Sequence, residues 1–214
     1  MPRSLDDKVD RGGFFKALGQ LMAGYMADQV SEAVAGMGPK LLRPPGALEE
    51  FDFLVACTRC DKCIEACPQD TLLKAPPSAG LAASTPHFDP RAMPCFLCTD
   101  LPCVKACPDG ALVWPRLERQ GKEPMEGPKA ARMGLARVLE HRCLTYERDD
   151  RPAMACRTCV DRCPYPDEAI RLVAPDAEAA VAHPQVDPDH CTGCGLCTFA
   201  CPTLEPAIVV KPRG

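Results

Sequence analysis

The chain has 214 residues, enough for one or two domains, and its 24 prolines, 15 glycines, seven phenylalanines, three tyrosines and single tryptophan exclude a large conventional core. Sixteen cysteines make up much of its 46 % hydrophobic content. A formal charge of −4, with no basic run interleaved with aromatics, argues against nucleic acid as a partner, and apolar runs such as 207–210 are far shorter than the ~20 residues of a transmembrane helix.

Residues 1–45 are a leader without cysteine. Phe14, Phe15, Leu18, Leu21, Met22, Tyr25, Met26, Val30 and Val34 recur at helical spacing and predict an amphipathic helix over 13–35. Gly36, Gly38 and Pro39 end it. Such a helix packs on its own domain, on a partner subunit or on a membrane surface.

A first unit is expected over 46–128. A short strand at 51–55 precedes Cys57, Cys60, Cys63 and Cys67 in CTRCDKCIEACP, and the apolar pair Leu72 and Leu73 follows. A proline-rich loop spans 74–86. A strand at 87–89 then leads to Cys95, Cys98, Cys103 and Cys107 in CFLCTDLPCVKACP, with an apolar stretch at 111–114. The proline-rich segment 115–128 reads as a surface loop separating two halves.

The second unit, 129–214, repeats the plan. A strand at 137–139 precedes Cys143, Cys156, Cys159 and Cys163, the last three in CRTCVDRCP, and apolar residues follow at 169–173. A strand at 185–187 precedes Cys191, Cys194, Cys197 and Cys201 in CTGCGLCTFACP, followed by 207–210.

Sets one and four have the C-x2-C-x2-C-x3-C-P spacing in which three close thiolates hold one 4Fe-4S cubane and the remote fourth holds its neighbour. Set two widens one gap to four residues, and set three separates its first cysteine from the rest by twelve. Neither change removes a ligand. Pro68, Pro108, Pro164 and Pro202 fix φ after each fourth cysteine and keep helix out of the pocket. A disulfide scaffold has shorter chains and irregular spacing, and structural zinc uses paired C-x2-C knuckles that leave the other cysteines of each set unexplained. Four 4Fe-4S clusters are therefore expected, taking the charge to about −12 if each adds about two negative charges. Their binding energy becomes folding energy, so the apo-protein should be poorly ordered.

The expected fold is α+β, with two bacterial-ferredoxin-like domains and the N-terminal helix. Set one pairs with two and three with four, or the middle sets nest inside a domain made by the first and last. Linkers of 27 residues between the members of each sequential pair, against 35 between the middle sets, lean towards the former.

The run TPHFDPRAMPCFLCTDLPCVKACPDGAL, the stretch ARMGLARVLEHRCL, the split third set and HPQVDPDHCTGCGLC together resemble the NapG/MauM ferredoxin-type proteins over about 50–212. The resemblance implies four 4Fe-4S clusters that carry electrons between a membrane quinol-oxidising subunit and a terminal oxidoreductase, as in nitrate reduction and methylamine oxidation. Family members begin with a twin-arginine signal; here Asp10, Arg11, Gly12, Gly13, Phe14 and Phe15 lack the second arginine, and Gln20, Asp28, Gln29 and Glu32 interrupt the apolar stretch. A cytoplasmic, membrane-peripheral location is the expectation, and periplasmic export through an atypical signal is the alternative.

No catalytic group emerges. His87, His141, His183 and His190 stand singly and are expected to face solvent or bond to backbone, and no Gly-rich nucleotide fingerprint is present. Every set supplies four thiolates, which argues against the three-cysteine open cluster of a radical SAM enzyme. The expectation is a one-electron carrier without its own catalytic centre, the alternative being a cluster-stabilised maturation factor for a partner metalloenzyme. Arg59 and Lys62 should raise the potential of the neighbouring cluster relative to the fourth, whose loop carries Gly193 and Gly195. Phe96, Trp114 and Phe199 are expected to shield sulfides from water.

Overall fold

Each half of the molecule uses an outer pair of segments, before its first cysteine set and after its second, and an inner pair between the sets. In the computed structural model, which describes residues 40–174 and 180–213, both halves follow this plan within one compact unit. The leader helix expected over 13–35 lies outside the described residues.

In the second half the plan is complete. β5 (Gly134–Val138) pairs antiparallel with β8 (Ile208–Pro212), and β6 (Ile170–Val173) with β7 (His183–Val186). These strands contain the β-branched runs that fit a half-buried pleated surface, and Ile170 and Ile208 are buried beside Val160 and Ala136.

In the first half the strands shrink. β1 (Leu73–Lys74) pairs antiparallel with β2 (Pro86–His87), and the outer pair is a single bridge between Ala47 and Leu112. Bonds from Leu48 N–H to Ala111 O at 3.2 Å and from Val113 N–H to Gly46 O at 2.8 Å flank it. The strand expected at 51–55 is instead helical: α1 spans Glu50–Ala56. Glu50 and Asp52 in its first turn favour the positive end of the helix dipole, and Phe53 becomes wholly buried. Tertiary burial outweighs the β-propensity of Phe and Val here. The strand role passes to 46–48, where Gly46 at φ +76° lets the chain approach Val113.

Two further expectations are corrected. Segment 115–128 holds an antiparallel hairpin, β3 (Arg116–Arg119) with β4 (Lys122–Glu126), in addition to a 3-10 turn at Gly127–Ala130. Segment 74–86 begins in β1, ends in β2 and contains a 3-10 segment, Pro77–Ala82. The remaining helices are single turns ending near the third or fourth cysteine of each set: α2 (Lys62–Glu65), α3 (Pro102–Lys105), α4 (Thr158–Asp161) and α5 (Leu196–Ala200). Among the described residues no helix is long and apolar enough to cross a membrane.

One core joins the halves. Phe53, Leu72, Phe88, Leu101 and Val104 of the first half are buried in the same cluster as Met133 and Cys194. The second half has its own core around Val160, Ile170 and Ile208.

Candidate metal centres

The short helices place the third cysteine of each set inward and the backbone turn at its end carries the fourth away to the neighbouring group. The result is visible in three cavities. Cys57, Cys60 and Cys63 line the first with Cys107 (site 1), beside Phe53, Ala111 and Leu112. Cys143, Cys156 and Cys159 line another with Cys201 (site 3). Cys191, Cys194 and Cys197 line the third with Cys163 (site 4). Each space is lined by four cysteines and by apolar side chains.

The remaining four thiols also gather. Burial pushes Cys103 up to about 12, and the nearby Cys67, Cys63 and Cys98 raise it further; Cys98 is in turn raised by burial and by Cys67. Cys95, pushed up to about 12 by burial, neighbours Cys194, Cys103 and Cys98. These four, left over from the three cavities and brought together by the packing of α2 on α3, are the candidate members of site 2: Cys67, Cys95, Cys98 and Cys103. Sequential pairing therefore describes the grouping, with three cysteines of one set and the fourth of its partner set at each site. The topology explains this, because the inner and outer segment pairs bring set one against set two and set three against set four.

Burial and mutual repulsion act on the other sites too. Burial, then Cys57, Cys107 and Cys60, takes Cys63 to about 11. Burial, then Cys143 and Cys156, takes Cys159 to about 12. Burial, then Cys194 and Cys191, raises Cys163 to about 11. Four thiolates in such a pocket need cationic metal to offset them. Among the described residues no three acidic, histidine or cysteine side chains converge tightly enough to hold one metal ion. The donor set and the space fit an iron-sulfur cubane.

Hydrogen-bond donors missed in the sequence surround sites 3 and 4. At site 3, Thr145 Oγ1, buried, lies 3.2 Å from Cys143 Sγ, Thr158 Oγ1 3.7 Å from Cys156 Sγ, and Ala207 N–H donates to Cys201 Sγ at 3.2 Å. The signal was a threonine two residues after cysteine, seen at Cys143, Cys156 and Cys201. At site 4, Arg132 donates to Asp189 O at 2.6 Å and Arg213 to Cys191 O at 3.0 Å. Nothing local marks these arginines, which lie far from set four in the chain.

Arg59 stands at site 1, donating to Ala83 O at 3.1 Å, Leu81 O at 3.0 Å and Cys57 O at 3.3 Å. No histidine lines the three described cavities. His87 Nδ1 meets Leu73 O at 3.1 Å, His141 is exposed, His183 stacks on Tyr146 with centroids 4.1 Å apart, and His190 Nδ1 lies 3.3 Å from Asp187. Phe96, Trp114 and Phe199 line none of these three cavities and stay 42 %, 43 % and 50 % exposed; the apolar side chains against the thiols of sites 1 and 3 include Phe53, Leu112 and Ile208.

Grouped thiols on paired ferredoxin-like halves define a ferredoxin-type iron-sulfur protein with 4Fe-4S clusters as cofactors. A family model described as the 4Fe-4S dicluster domain matches residues 56–111 and 153–204. The chain belongs to the NapG/MauM family of ferredoxin-type proteins. It is 38 % identical over 215 residues to the ferredoxin-type protein NapG of Escherichia coli (strain K12), covering 98 % of this chain and 84 % of that protein. It is 40 % identical over 194 residues to the methylamine utilization ferredoxin-type protein MauM of Methylorubrum extorquens, covering 90 % and 82 %. With NapG of Haemophilus influenzae the identity is 41 % over 177 residues, 80 % of this chain and 58 % of the relative.

Proposed function

We propose that the chain is a relay that moves single electrons through four 4Fe-4S centres between a quinol-linked donor and a partner oxidoreductase. The ligands in this reading are Cys57, Cys60, Cys63 and Cys107 at site 1, and Cys67, Cys95, Cys98 and Cys103 at site 2. Site 3 uses Cys143, Cys156, Cys159 and Cys201, and site 4 uses Cys163, Cys191, Cys194 and Cys197. When bound, each cluster supplies a one-electron couple whose charge change is spread over several irons and sulfides. The protein's residues hold the couple in apolar surroundings, exclude water and aim hydrogen bonds and charges at its sulfurs.

The observation that supports this reading is the gathering of twelve cysteines around three cavities, each holding three cysteines of one set and the fourth of its partner set. Four complete ligand sets leave no open metal position for a substrate, so turnover belongs to the partner. The names of the relatives support the same class of electron carrier.

Iron and sulfide analysis with EPR of the dithionite-reduced chain tests the reading. About sixteen irons and four spin one-half centres are expected. Centres that neither reduce nor exchange electrons with viologens and quinol analogues would favour a maturation platform instead. The relay is further proposed to work on the cytoplasmic side, as the missing second arginine after Arg11 suggests; activity of a fusion to alkaline phosphatase, which works only after export, would refute that location.

A further inference from the structure

The order of the sites in space differs from the order of the sets in the chain. Site 1 adjoins site 2 where helix α2, carrying Cys63, packs on α3, carrying Cys103, and site 3 adjoins site 4 where α4, carrying Cys159, packs on α5, carrying Cys197. The cavity at site 1 is lined only by residues within 53–112, and that at site 3 only by residues within 138–208. Neither reaches the other half.

Contact between the halves runs through the loop of set four. The Cys95 N–H donates to the Cys194 carbonyl at 2.9 Å, a backbone bond that joins a cysteine of site 2 directly to a cysteine of site 4. Gly195 lies so close to Pro90 that a Cβ there would overlap the proline ring, and Leu196 packs on the core of the first half. On the other side of the loop, Met133 N–H donates to Thr192 O at 2.9 Å and Gly193 abuts the backbone of Gly134. The loop is thus clamped against both Pro90 and β5, holding Cys194 beside Cys95.

We propose that electrons cross between the halves at the Cys95–Cys194 peptide contact, so that the four sites work in the order 1, 2, 4, 3, with sites 1 and 3 as the ends that exchange with redox partners. This order rests on the four-centre reading above. Each crossing moves one electron and no proton, one side being oxidised as the other is reduced. A one-electron donor protein at one end and an acceptor protein at the other complete the balance. Cys60, an exposed ligand, marks the site 1 end.

Spin-spin coupling in the fully reduced, loaded chain reads this order without an activity assay. Cys197→Ala empties site 4 and lowers iron from about sixteen to about twelve per chain. The expected result is complete loss of splitting at site 3, which becomes an isolated signal, while sites 1 and 2 remain coupled. A site 3 signal that stays split overturns the order. Because Cys197 is buried, Cys60→Ala at the exposed ligand gives an independent arm: the coupling between sites 1 and 2 is lost, and the coupling among sites 2, 4 and 3 persists. Loss of splitting at site 3 in that variant also overturns the proposal. A wild-type chain that loads fewer than four centres fails the underlying relay reading, and does so before any variant is compared.

Discussion

Thr145 is buried beside Cys143, and because a metal-bound thiolate carries no proton, the hydroxyl at 3.2 Å must donate to sulfur. Such a bond stabilises the reduced, more negative state. Thr145→Val keeps the shape and removes the donor, so a redox titration should show the site 3 potential falling by roughly 40 mV, about 1 kcal/mol for one electron, with little change in iron content. The glycines of set four tell a related story. Arg59, Asp61, Leu97 and Leu101 adopt positive φ between 42° and 65° within sets one and two, so this turn does not by itself demand glycine. What demands it at Gly195 is the proximity of Pro90. Gly195→Ala should therefore destabilise the loaded protein by roughly 2–4 kcal/mol, whereas Gly110→Ala, at φ +68° with open space around it, should cost about 1 kcal/mol. Denaturant titration followed by cluster absorbance checks both.

At the scale of elements, helix α1 is held to the segment before it by one arginine. Arg43 Nε and Nη2 donate to Glu50 at 2.9 and 2.5 Å, and Nη1 donates to Thr85 Oγ1 at 2.8 Å and Pro86 O at 2.9 Å. Its guanidinium also sits 4.6 Å from the centre of the Phe53 ring. This clamp joins α1 to β2 over site 1. Arg43→Met leaves Glu50 and the Pro86 carbonyl without their partner and should cost roughly 2–4 kcal/mol in denaturant titration of the loaded protein. Site 1 should then lose iron first on exposure to a chelator. The residues of this clamp were visible in the sequence, but their role was not, because Arg43 and Thr85 are 42 positions apart. The hairpin β3–β4 was unreadable for another reason: Arg116, Glu118, Glu123 and Glu126 are charged and exposed, and Leu117 and Met125 by themselves give too little apolar alternation to mark a half-buried strand. Cross-strand ion pairing of Arg116 with Glu126 at 2.9 Å accompanies the pairing.

At the scale of the whole molecule, cluster loading and folding should be linked. Buried thiols raised to about 11 or 12 are neutral near pH 7, and each must release its proton to become a ligand. The sign follows: protons compete with metal, so loading is favoured as pH rises and weakened as pH falls. Reconstitution with iron and sulfide under reducing conditions should give more filled sites at pH 8.5 than at pH 6.5, about these values being a convenient bracket below the thiol range. Stripping the clusters should abolish the cooperative unfolding transition, measurable by circular dichroism, since the thiol-lined spaces then lack the offsetting charge. The cysteine spacing determined the ligand type and the cofactor, because three thiols two residues apart can wrap a cubane only with a few backbone turns, and that geometry is local; the runs around the cysteines, with the split third set, carried the family resemblance. The tertiary structure decided which set completes which site, why set four carries glycines, and which sites face each other, because those properties depend on segments such as 90–95, 133–134 and 191–195 that meet only when both halves share a core.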